Sequence, residues 1–470
     1  MIKTSAIFLF LNYCLGKKVD MSMVVAKIDW RQLYTFASRQ ALLGFCFDGI
    51  ERLTKEFSEE LKQNPMGRDL LMKWMGKAQQ IRRQNMKVNA VAGKLYSKFR
   101  EDGLRCCILK GQGNALMYPN PYSRTPGDID VWINASRERI MEYASKKFEL
   151  GDDIRLQHLE TSLDGVPVEL HFFPCSMNNP IYHARLQKWF RRNADLQCSH
   201  IVRLPDGAGD IAIPTTAFNV IYQLTHLYHH FFDEGIGMRQ IIDYFLVVND
   251  FSKNVFLNND LSNPSVNFSN HPVPLSKEGS TFSPSPSSSG SGDVTAPSWC
   301  SEPLRSKDGG PSKVSPNCAG WDRRGVSGDT GSVSCSSASS ITSVSSASTT
   351  DSSASTALVV VQRELKYLGL WKFAGAVMYV LHEVLGLPKE KMISSMDEKR
   401  GKLLLAEILN GGNFGKHFTK YAGFTHQSMG KKYFLKIWRN MHFVRYYPAE
   451  ALSEPIFRTW HFFWRMKNKK

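Results

Sequence analysis

The feature that most constrains this chain is a long segment, residues 252–357, which is poor in apolar side chains and rich in Ser, Gly, Thr, Asn and Pro. Runs such as "SVSCSSASSITSVSSASTTDSSASTA" cannot bury enough apolar surface to offset the entropy lost when a backbone becomes ordered. We therefore interpret this segment as a disordered insertion. Amphipathic sequence resumes directly after it, so the insertion interrupts a single helical domain.

Outside the insertion, the apolar residues follow two different periods. Helical spacing covers residues 23–100 and returns over residues 214–251 and 358–470. Residues 101–213 instead combine short strand-like runs with helical ones. The predicted fold class is therefore α+β, with a small mixed β-sheet core between N- and C-terminal helical subdomains.

Residues 1–22 raise the question of a leader. The opening "MIKTSAIFLFLNYCLGKK" holds a short apolar run after one lysine, as in the h-region of a signal peptide. No convincing small-residue cleavage site follows, and Met21 and Met23 offer later starts, so we set residues 1–22 apart from the helical region. No run of about 18 apolar residues occurs, which argues against a transmembrane helix.

Charge and cysteine content narrow the class of partner and the compartment. The 470 residues carry a formal net charge of +16, which favours polyanionic or phosphorylated partners. The nine cysteines form no CxxC pair, and a scattered set of this kind is typical of free thiols in a reducing compartment. We therefore predict a cytoplasmic protein.

The stretch "TPGDIDVWI" reads as a strand that carries two carboxylates, Asp128 and Asp130. Side chains two positions apart on a strand point to the same face, so these two charges lie side by side and repel each other. Mg²⁺ commonly binds between one or two carboxylates and the phosphates of a substrate. The pair is therefore a candidate magnesium site.

The flanking sequence adds a phosphate-binding turn and a third carboxylate. Gly111 follows the apolar run "LRCCIL", and a glycine at a strand-to-helix turn lets backbone N–H groups approach phosphate oxygens. Farther on, Asp164-Gly165 predicts a hairpin. Alternation in "VPVELHFF" then places Glu169 and His171 on one face, from which Glu169 can complete an acidic cluster.

These residues together resemble a known family. "LKGQGNALMYPNPYSRTPGDIDVWI" with "VPVELHFF" is similar to the DNA polymerase β-type nucleotidyltransferase superfamily, and more narrowly to its large uncharacterised bacterial nucleotidyltransferase family. That family shows Leu-Lys-Gly, Tyr-Pro, Arg and Asp-Ile-Asp in this order. "HLYHHFFDEGIGMRQIIDYF" resembles its later helical segment. The resemblance covers roughly residues 30–250 and resumes after the insertion, which has no counterpart in the family.

The resemblance implies a metal site and a reaction. It makes Asp128 and Asp130 ligands of two Mg²⁺ or Mn²⁺ ions, and Glu169 a ligand of one ion that also takes the proton from the attacking hydroxyl. The reaction would transfer a nucleoside monophosphate from an NTP, with ATP as the first choice, and release pyrophosphate. The acceptor would be a hydroxyl of a small molecule, a sugar, a protein or an RNA end.

The resemblance also implies that Gly111 and the turn after it, Gln112 and Gly113, hold the β- and γ-phosphates. Here the sequence departs from the superfamily, in which Gly is usually followed directly by Ser or Gly, and the spacing from the turn to the acidic pair is longer than usual. Lys110 and Arg124 are candidates either for binding the triphosphate or for neutralising the carboxylates without a nucleotide.

Two other functions stay open at this point. One is a non-catalytic module with the same fold, either a nucleotide sensor or an antitoxin-like partner. The other is an RNA-binding protein whose basic C-terminal tail supplies affinity. That tail, from about residue 431, interleaves aromatic and basic residues, which suits single-stranded nucleic acid or an anionic membrane surface. The favoured interpretation is a helix pair with its aromatic side chains packed inward.

The later helical segment contains two further candidate clusters. His226 and His230 share a helical face, but the glutamate of a His-Glu-x-x-His zinc motif is missing. We therefore favour a polar-core or cleft role for these histidines. Arg239 and Asp243 are one helical turn apart, and we expect them to form an intrahelical ion pair.

Overall fold

The computed structural model describes residues 4–257, 351–417 and 429–468. Most of the predicted insertion, residues 252–357, lies outside these residues. One described helix ends at Leu257 and the next begins at Asp351, so helical structure includes the first and last residues of the predicted segment.

Helices come first along the described chain, as the N-terminal pattern predicts. They are α1 (Thr4–Cys14), α2 (Ser22–Val25), α3 (Trp30–Arg39), α4 (Leu43–Glu56), α5 (Ser58–Gln63) and α6 (Arg68–Glu101). Helix α1 belongs to the main helical core, because Phe10, Leu11 and Tyr13 are buried there. The residues set apart as a doubtful leader therefore contribute to the packing of this fold.

The middle of the chain alternates strands and helices. Its strands are β1 (Cys106–Leu109), β2 (Ile129–Ile133), β3 (Leu150–Ile154), β4 (His158–Leu163), β5 (Val166–His171), β6 (Ile201–Arg203) and β7 (Asp210–Ala212). Its helices are α7 (Gly111–Ala115), α8 (Arg137–Lys147) and α9 (Pro180–Ser199). Ser136 caps α8, since its Oγ accepts a hydrogen bond from the Arg139 N–H.

Helices complete the described chain. They are α10 (Thr216–Asp233), α11 (Met238–Leu257), α12 (Asp351–Tyr367), α13 (Trp371–Leu385), α14 (Glu398–Gly411), α15 (Met429–Met441) and α16 (Pro448–Asn468). Among the described residues, no helix has the length and apolar character needed to cross a membrane.

The main sheet has five strands in the order β1-β2-β5-β4-β3. Strands β2 and β5 are parallel, and the other neighbours are antiparallel. A separate antiparallel pair, β6–β7, follows. The predicted α+β class, with a small mixed sheet between helical parts, is confirmed.

A two-residue turn joins β4 to β5 and sets their register. Asp164 and Gly165 have φ values of 51° and 71°, and a type I′ turn requires positive φ at both central residues. The predicted hairpin is therefore confirmed. The turn aligns His158 with His171 across the two strands.

Strand β2 is buried on both faces, and its alternation decides which side chains meet the site. Ile129, Val131 and Ile133 pack into the apolar cluster that includes residues of α6 and α8. Trp132 points to the opposite face and stacks on Phe218 of α10, with ring centroids 5.9 Å apart and an interplanar angle of 14°. Asp130 shares this second face, so it is directed toward the C-terminal helices.

The C-terminal helix pair α15–α16 only partly follows the favoured prediction. Phe443 and Tyr447, between the two helices, are buried in the helical core. Phe434, Trp460 and Phe463, however, are 67%, 49% and 62% exposed. The prediction that the aromatic side chains pack inward is therefore wrong for these three, because helical periodicity shows which residues share a face but not whether that face is covered.

Candidate active site

Three carboxylates converge beside β2 and β5, the second and third strands of the main sheet. Asp128 directly precedes β2, Asp130 lies on β2, and Glu169 is its register partner on the parallel strand β5. One oxygen from each carboxylate lies within 4.8 Å of the other two. Asp128 is exposed, the Glu169 side chain is 22% exposed and Asp130 is buried. The acidic cluster is therefore open to solvent on the side of Asp128.

Two cationic side chains hold the buried end of this cluster. The Nζ atom of Lys110 lies 3.0 Å from Asp130 Oδ1. The Nε2 atom of His171 lies 3.0 Å from the same oxygen and 3.2 Å from Glu169 Oε2. The predicted common face for Glu169 and His171 is confirmed by this contact. Of the two roles left open for Lys110, this structure shows neutralisation of the carboxylates.

The carboxylates differ in how readily they ionise. Repulsion from Asp130 raises the pKa of Asp128 to about 7. Burial opposes ionisation of Asp130, but Lys110 and His171 outweigh it and hold the pKa of that carboxyl well below its usual range. Burial also acts against Glu169, whose pKa is nonetheless lowered by its hydrogen bond from His171. The buried carboxylates are therefore ionised at neutral pH, and Asp128 is the one that titrates there.

The two histidines beside the cluster have opposite protonation states. Burial acts against the imidazolium form of His171, but hydrogen bonds to Asp130 and Glu169 raise its pKa to about 9. Burial, with repulsion from His171, lowers the pKa of His158 to about 4. At neutral pH His171 is therefore cationic and His158 is neutral.

The turn between β1 and α7 has an unusual backbone. Lys110 has φ 52° and ψ −124°, and Gly111 follows with φ 34°. A positive φ at a non-glycine residue of this kind costs roughly 1–3 kcal/mol and persists only where the surroundings impose it. A Cβ atom built on Gly111 would meet only the carbonyl oxygen of Asp128, at 3.9 Å. This turn therefore leaves open space next to the exposed carboxylate.

Gln112 and Gly113, the next two predicted phosphate-binding residues, are packed inside the protein. Gln112 is 3% exposed, and its amide donates a hydrogen bond to the side chain of Asn89. Gly113 is packed against Ile213, since a Cβ built on it would lie 3.1 Å from a side-chain carbon of that residue. The side chain of Gln112 is therefore not available to a phosphate in this structure.

The Arg124 side chain is buried in an ion pair with Asp243 of α11, a contact that neither of its predicted roles included. It is 4% exposed, and its Nε and Nη2 atoms donate to the two carboxylate oxygens of Asp243 at 2.9 and 2.8 Å. Tyr118 also donates to Asp243, at 2.7 Å. The prediction that Arg239 pairs with Asp243 is therefore wrong. Arg124 is the ion-pair partner of Asp243, and Arg239 donates to the backbone oxygen of Thr125 at 3.3 Å.

Helix α10 packs next to the acidic cluster and contacts Lys110, the partner of Asp130. His226 Nε2 lies 2.8 Å from Lys110 Nζ and 3.1 Å from His230 Nε2. One turn earlier, the amides of Gln223 and Asn114 exchange hydrogen bonds of 2.6 and 2.9 Å. Burial and the charge of Lys110 keep the pKa of His226 well below its usual range. These contacts are compatible with both roles favoured for the histidines, in a polar core and in a cleft.

The residues of the acidic cluster fit a hard divalent cation. All three groups are carboxylates, and oxygen ligands are those that Mg²⁺ and Mn²⁺ prefer. The mutual repulsion that raises the pKa of Asp128 shows that Lys110 and His171 do not fully balance the negative charge. Among the described residues, one other group has the composition of a metal site: His158, Glu169 and His171.

His158 is the member of this region that sequence reasoning missed. It lies at the start of β4, in the run "RLQHLE", which carries no motif. The signal was nevertheless present, because the turn at Asp164-Gly165 fixes the hairpin register. Counting back equally from the turn along both strands places His158 opposite His171.

Comparison with known proteins gives the family. Residues 26–262, just over half of the 470-residue chain, match the family model described as "Uncharacterised nucleotidyltransferase". The chain belongs to this nucleotidyltransferase family, which supports a general role in nucleotidyl transfer. Placement of this family in the DNA polymerase β-type superfamily, and its description as bacterial, stay predictions.

Other comparisons add little. An antigenic nucleotidyltransferase-like protein from Paracoccidioides brasiliensis, of known crystal structure, matches with 15% sequence identity. The match covers 34% of this chain and 75% of that one, with a TM-score of 0.24, and at that score it carries no structural argument. The search of curated proteins found no match to this chain.

Proposed function

We propose that this protein transfers a nucleoside monophosphate from an NTP to a hydroxyl acceptor and releases pyrophosphate. The observation that carries this proposal is the convergence of Asp128, Asp130 and Glu169 beside the strained turn at Lys110-Gly111. Family membership supports the reaction class. ATP is the proposed nucleotide and the cytoplasm the proposed compartment.

The proposed roles follow from the positions of the side chains. Asp128, Asp130 and Glu169 would hold two Mg²⁺ or Mn²⁺ ions, which would stabilise the attacking and leaving oxygens of an in-line displacement. Glu169 would accept the proton of the attacking hydroxyl. The hydroxyl oxygen forms a bond to the α-phosphorus while the bond from that phosphorus to the bridging oxygen breaks, so pyrophosphate leaves. Lys110, which pairs with Asp130, would turn toward a phosphate when nucleotide binds.

The test is incubation of the purified protein with each α-labelled NTP and Mg²⁺ or Mn²⁺, first alone and then with cell extract. Transfer of label to the protein would identify self-modification, and transfer to an extracted species would identify the acceptor. The proposal expects label in at least one of these fractions and its loss in Asp128→Asn. No transfer from any NTP, with nucleotide still bound, would instead support the non-catalytic sensing module.

A second candidate function is binding of single-stranded nucleic acid through α15–α16. Phe434, Trp460 and Phe463 are exposed on these helices, whereas Glu450 and Glu454, the acidic residues of the two helices, are both 1% exposed. Exposed aromatic rings among basic side chains suit base stacking and phosphate contact.

A surface variant separates this second candidate from the first. Replacing Phe434, Trp460 and Phe463 together by Ala leaves the buried core intact. If this face binds RNA, the variant should lose affinity for a single-stranded RNA, and the wild-type affinity should fall steeply with salt. Binding to anionic vesicles and not to RNA would assign the face to a lipid surface.

A further inference from the structure

The hairpin β4–β5 places three metal-ligating side chains on one face of the sheet. His158 is the cross-strand partner of His171, so their side chains share a face. Glu169 lies two positions before His171 on the same strand and therefore shares that face as well. The ligand atoms of the three residues lie within 4.8 Å of one another.

Distances within this cluster match those around a tetrahedral ion. Glu169 Oε2 lies 3.2 Å from His171 Nε2 and 3.3 Å from His158 Nδ1. Metal–ligand bonds of about 2.0–2.2 Å at tetrahedral angles separate neighbouring ligand atoms by roughly 3.3 Å. The two separations from Glu169 therefore suit an ion that this carboxylate shares with both imidazoles.

His158 supplies an independent sign of a missing ligand. The residue is 8% exposed, and its buried Nδ1 and Nε2 atoms lie 3.3 and 3.8 Å from carboxylate oxygens of Glu169 and Glu160 without forming a hydrogen bond to them. Leaving a buried polar group without a hydrogen bond is energetically unfavourable. Coordination of a cation by one ring nitrogen would offset that cost.

We propose that His158, Glu169 and His171 form a site for a single transition-metal ion, with Zn²⁺ as the best match, and that binding of the ion displaces the proton that Nε2 of His171 donates to Asp130 and Glu169 in the metal-free protein. Imidazole nitrogen favours Zn²⁺ over Mg²⁺, whereas the cluster of three carboxylates favours the harder ion. The three ligands leave a fourth position for water or substrate. The strand order β2-β5-β4 sets this site on the β4 side of Glu169 and the acidic pair on the β2 side.

Glu169 belongs to both sites, so an ion bound by the histidines should affect the acidic cluster. An ion held by the histidines engages the carboxylate that the acidic cluster also uses. Zn²⁺ should therefore lower turnover with Mg²⁺ and nucleotide, an effect that rests on the proposed function. Binding of Zn²⁺ itself does not depend on that function.

The test is titration of the metal-free full-length protein with Co²⁺, followed by the visible d–d absorption, and then displacement by Zn²⁺. The variant His158→Gln should bind Co²⁺ at least about 10-fold more weakly than the wild type. The variant His200→Gln is the matched control, since His200 bonds the backbone oxygen of Ile213 at 3.0 Å and lies outside the cluster. The variant Asp128→Asn should retain Co²⁺ binding.

Several outcomes would overturn the proposal. The first is a wild-type protein that binds no Co²⁺. The second is equal Co²⁺ affinity in wild type and His158→Gln, and the third is loss of Co²⁺ binding in Asp128→Asn, which would assign the ion to the acidic cluster. Circular dichroism of each metal-free variant shows whether it is folded. Because the readout is metal binding, absence of nucleotidyl transfer would reject the proposed function and leave this site standing.

Discussion

Asp130 and Glu169 occupy paired positions on the parallel strands β2 and β5, and both accept hydrogen bonds from Nε2 of His171. The sheet register, and not a long loop, fixes the spacing of these two carboxylates. A site built on strands is held more rigidly than one built on loops. Substitutions that keep the shape of these side chains should therefore change the chemistry without disturbing the fold.

Glu169→Gln tests the proposed catalytic role. The amide cannot accept the proton of an attacking hydroxyl and is a weaker metal ligand, so turnover with labelled NTP should fall at least about 100-fold. Nucleotide binding should persist. Asp164→Asn is the control, because this carboxylate lies 49% exposed in the hairpin turn. Turnover unchanged in Glu169→Gln would contradict the role.

The pair Arg124–Asp243 should be essential for stability. Both side chains are almost fully buried, at 4% and 6% exposed. Removing one partner leaves the other charge buried without compensation, so Asp243→Ala should lower the free energy of unfolding by about 3–5 kcal/mol. Glu59→Ala is the matched control, because its pair with Lys62 is over 70% exposed on both sides, and it should cost less than about 1 kcal/mol. Similar losses in denaturant unfolding of the two variants would contradict the assignment.

Two glycines on α6 should respond oppositely to the same substitution. Alanine normally stabilises a helix interior by about 0.5–1 kcal/mol relative to glycine, and Gly76→Ala should do so because nothing lies within 4 Å of its added Cβ. A Cβ on Gly93 would lie 1.9 Å from the carbonyl oxygen of Ala208. Gly93→Ala should therefore destabilise the fold by about 1–3 kcal/mol. Equal unfolding midpoints for the two variants would show that α6 does not pack this closely.

Asp233 should make stability depend on pH in the acid range. Burial opposes its ionisation, but Lys436 and Arg458, with nitrogens 3.1 and 3.0 Å away, hold the pKa of Asp233 well below its usual value. A depressed folded-state pKa stabilises the fold above the unfolded value of about 3.9 and loses that contribution as pH falls below it. The free energy of unfolding should therefore drop less steeply below pH ~4 in Asp233→Asn than in the wild type. Parallel pH profiles would contradict this.

Period-two alternation predicted which acidic side chains share a face of a strand, but not that β2 and β5 are neighbours in the sheet. It placed Asp128 and Asp130 on one face, and Glu169 with His171 on one face of a second strand. The hairpin followed from Asp164-Gly165, because that dipeptide tolerates the positive φ that the turn needs. These features are local, so a single sequence contains the information that they require.

Contacts between distant segments could not be predicted in this way. Arg124 and Asp243 are 119 positions apart, and no local pattern indicates that they pair. The prediction that Arg239 would pair with Asp243 used helical spacing alone. It did not take account of Arg124, which precedes β2 and contacts α11. The prediction that Phe463 packs inward was wrong for a related reason. A helical stripe of apolar residues has the same period whether it is covered by protein or open to solvent.

The most direct test of the central claim is titration of the protein with Mn²⁺ in the presence of ATP, with free Mn²⁺ measured by electron paramagnetic resonance. The wild type and Asp164→Asn should show the same saturable binding, and Asp128→Asn and Asp130→Asn should bind Mn²⁺ at least about 10-fold more weakly. Equal Mn²⁺ affinity in all four proteins would contradict a metal–nucleotide site formed by these carboxylates.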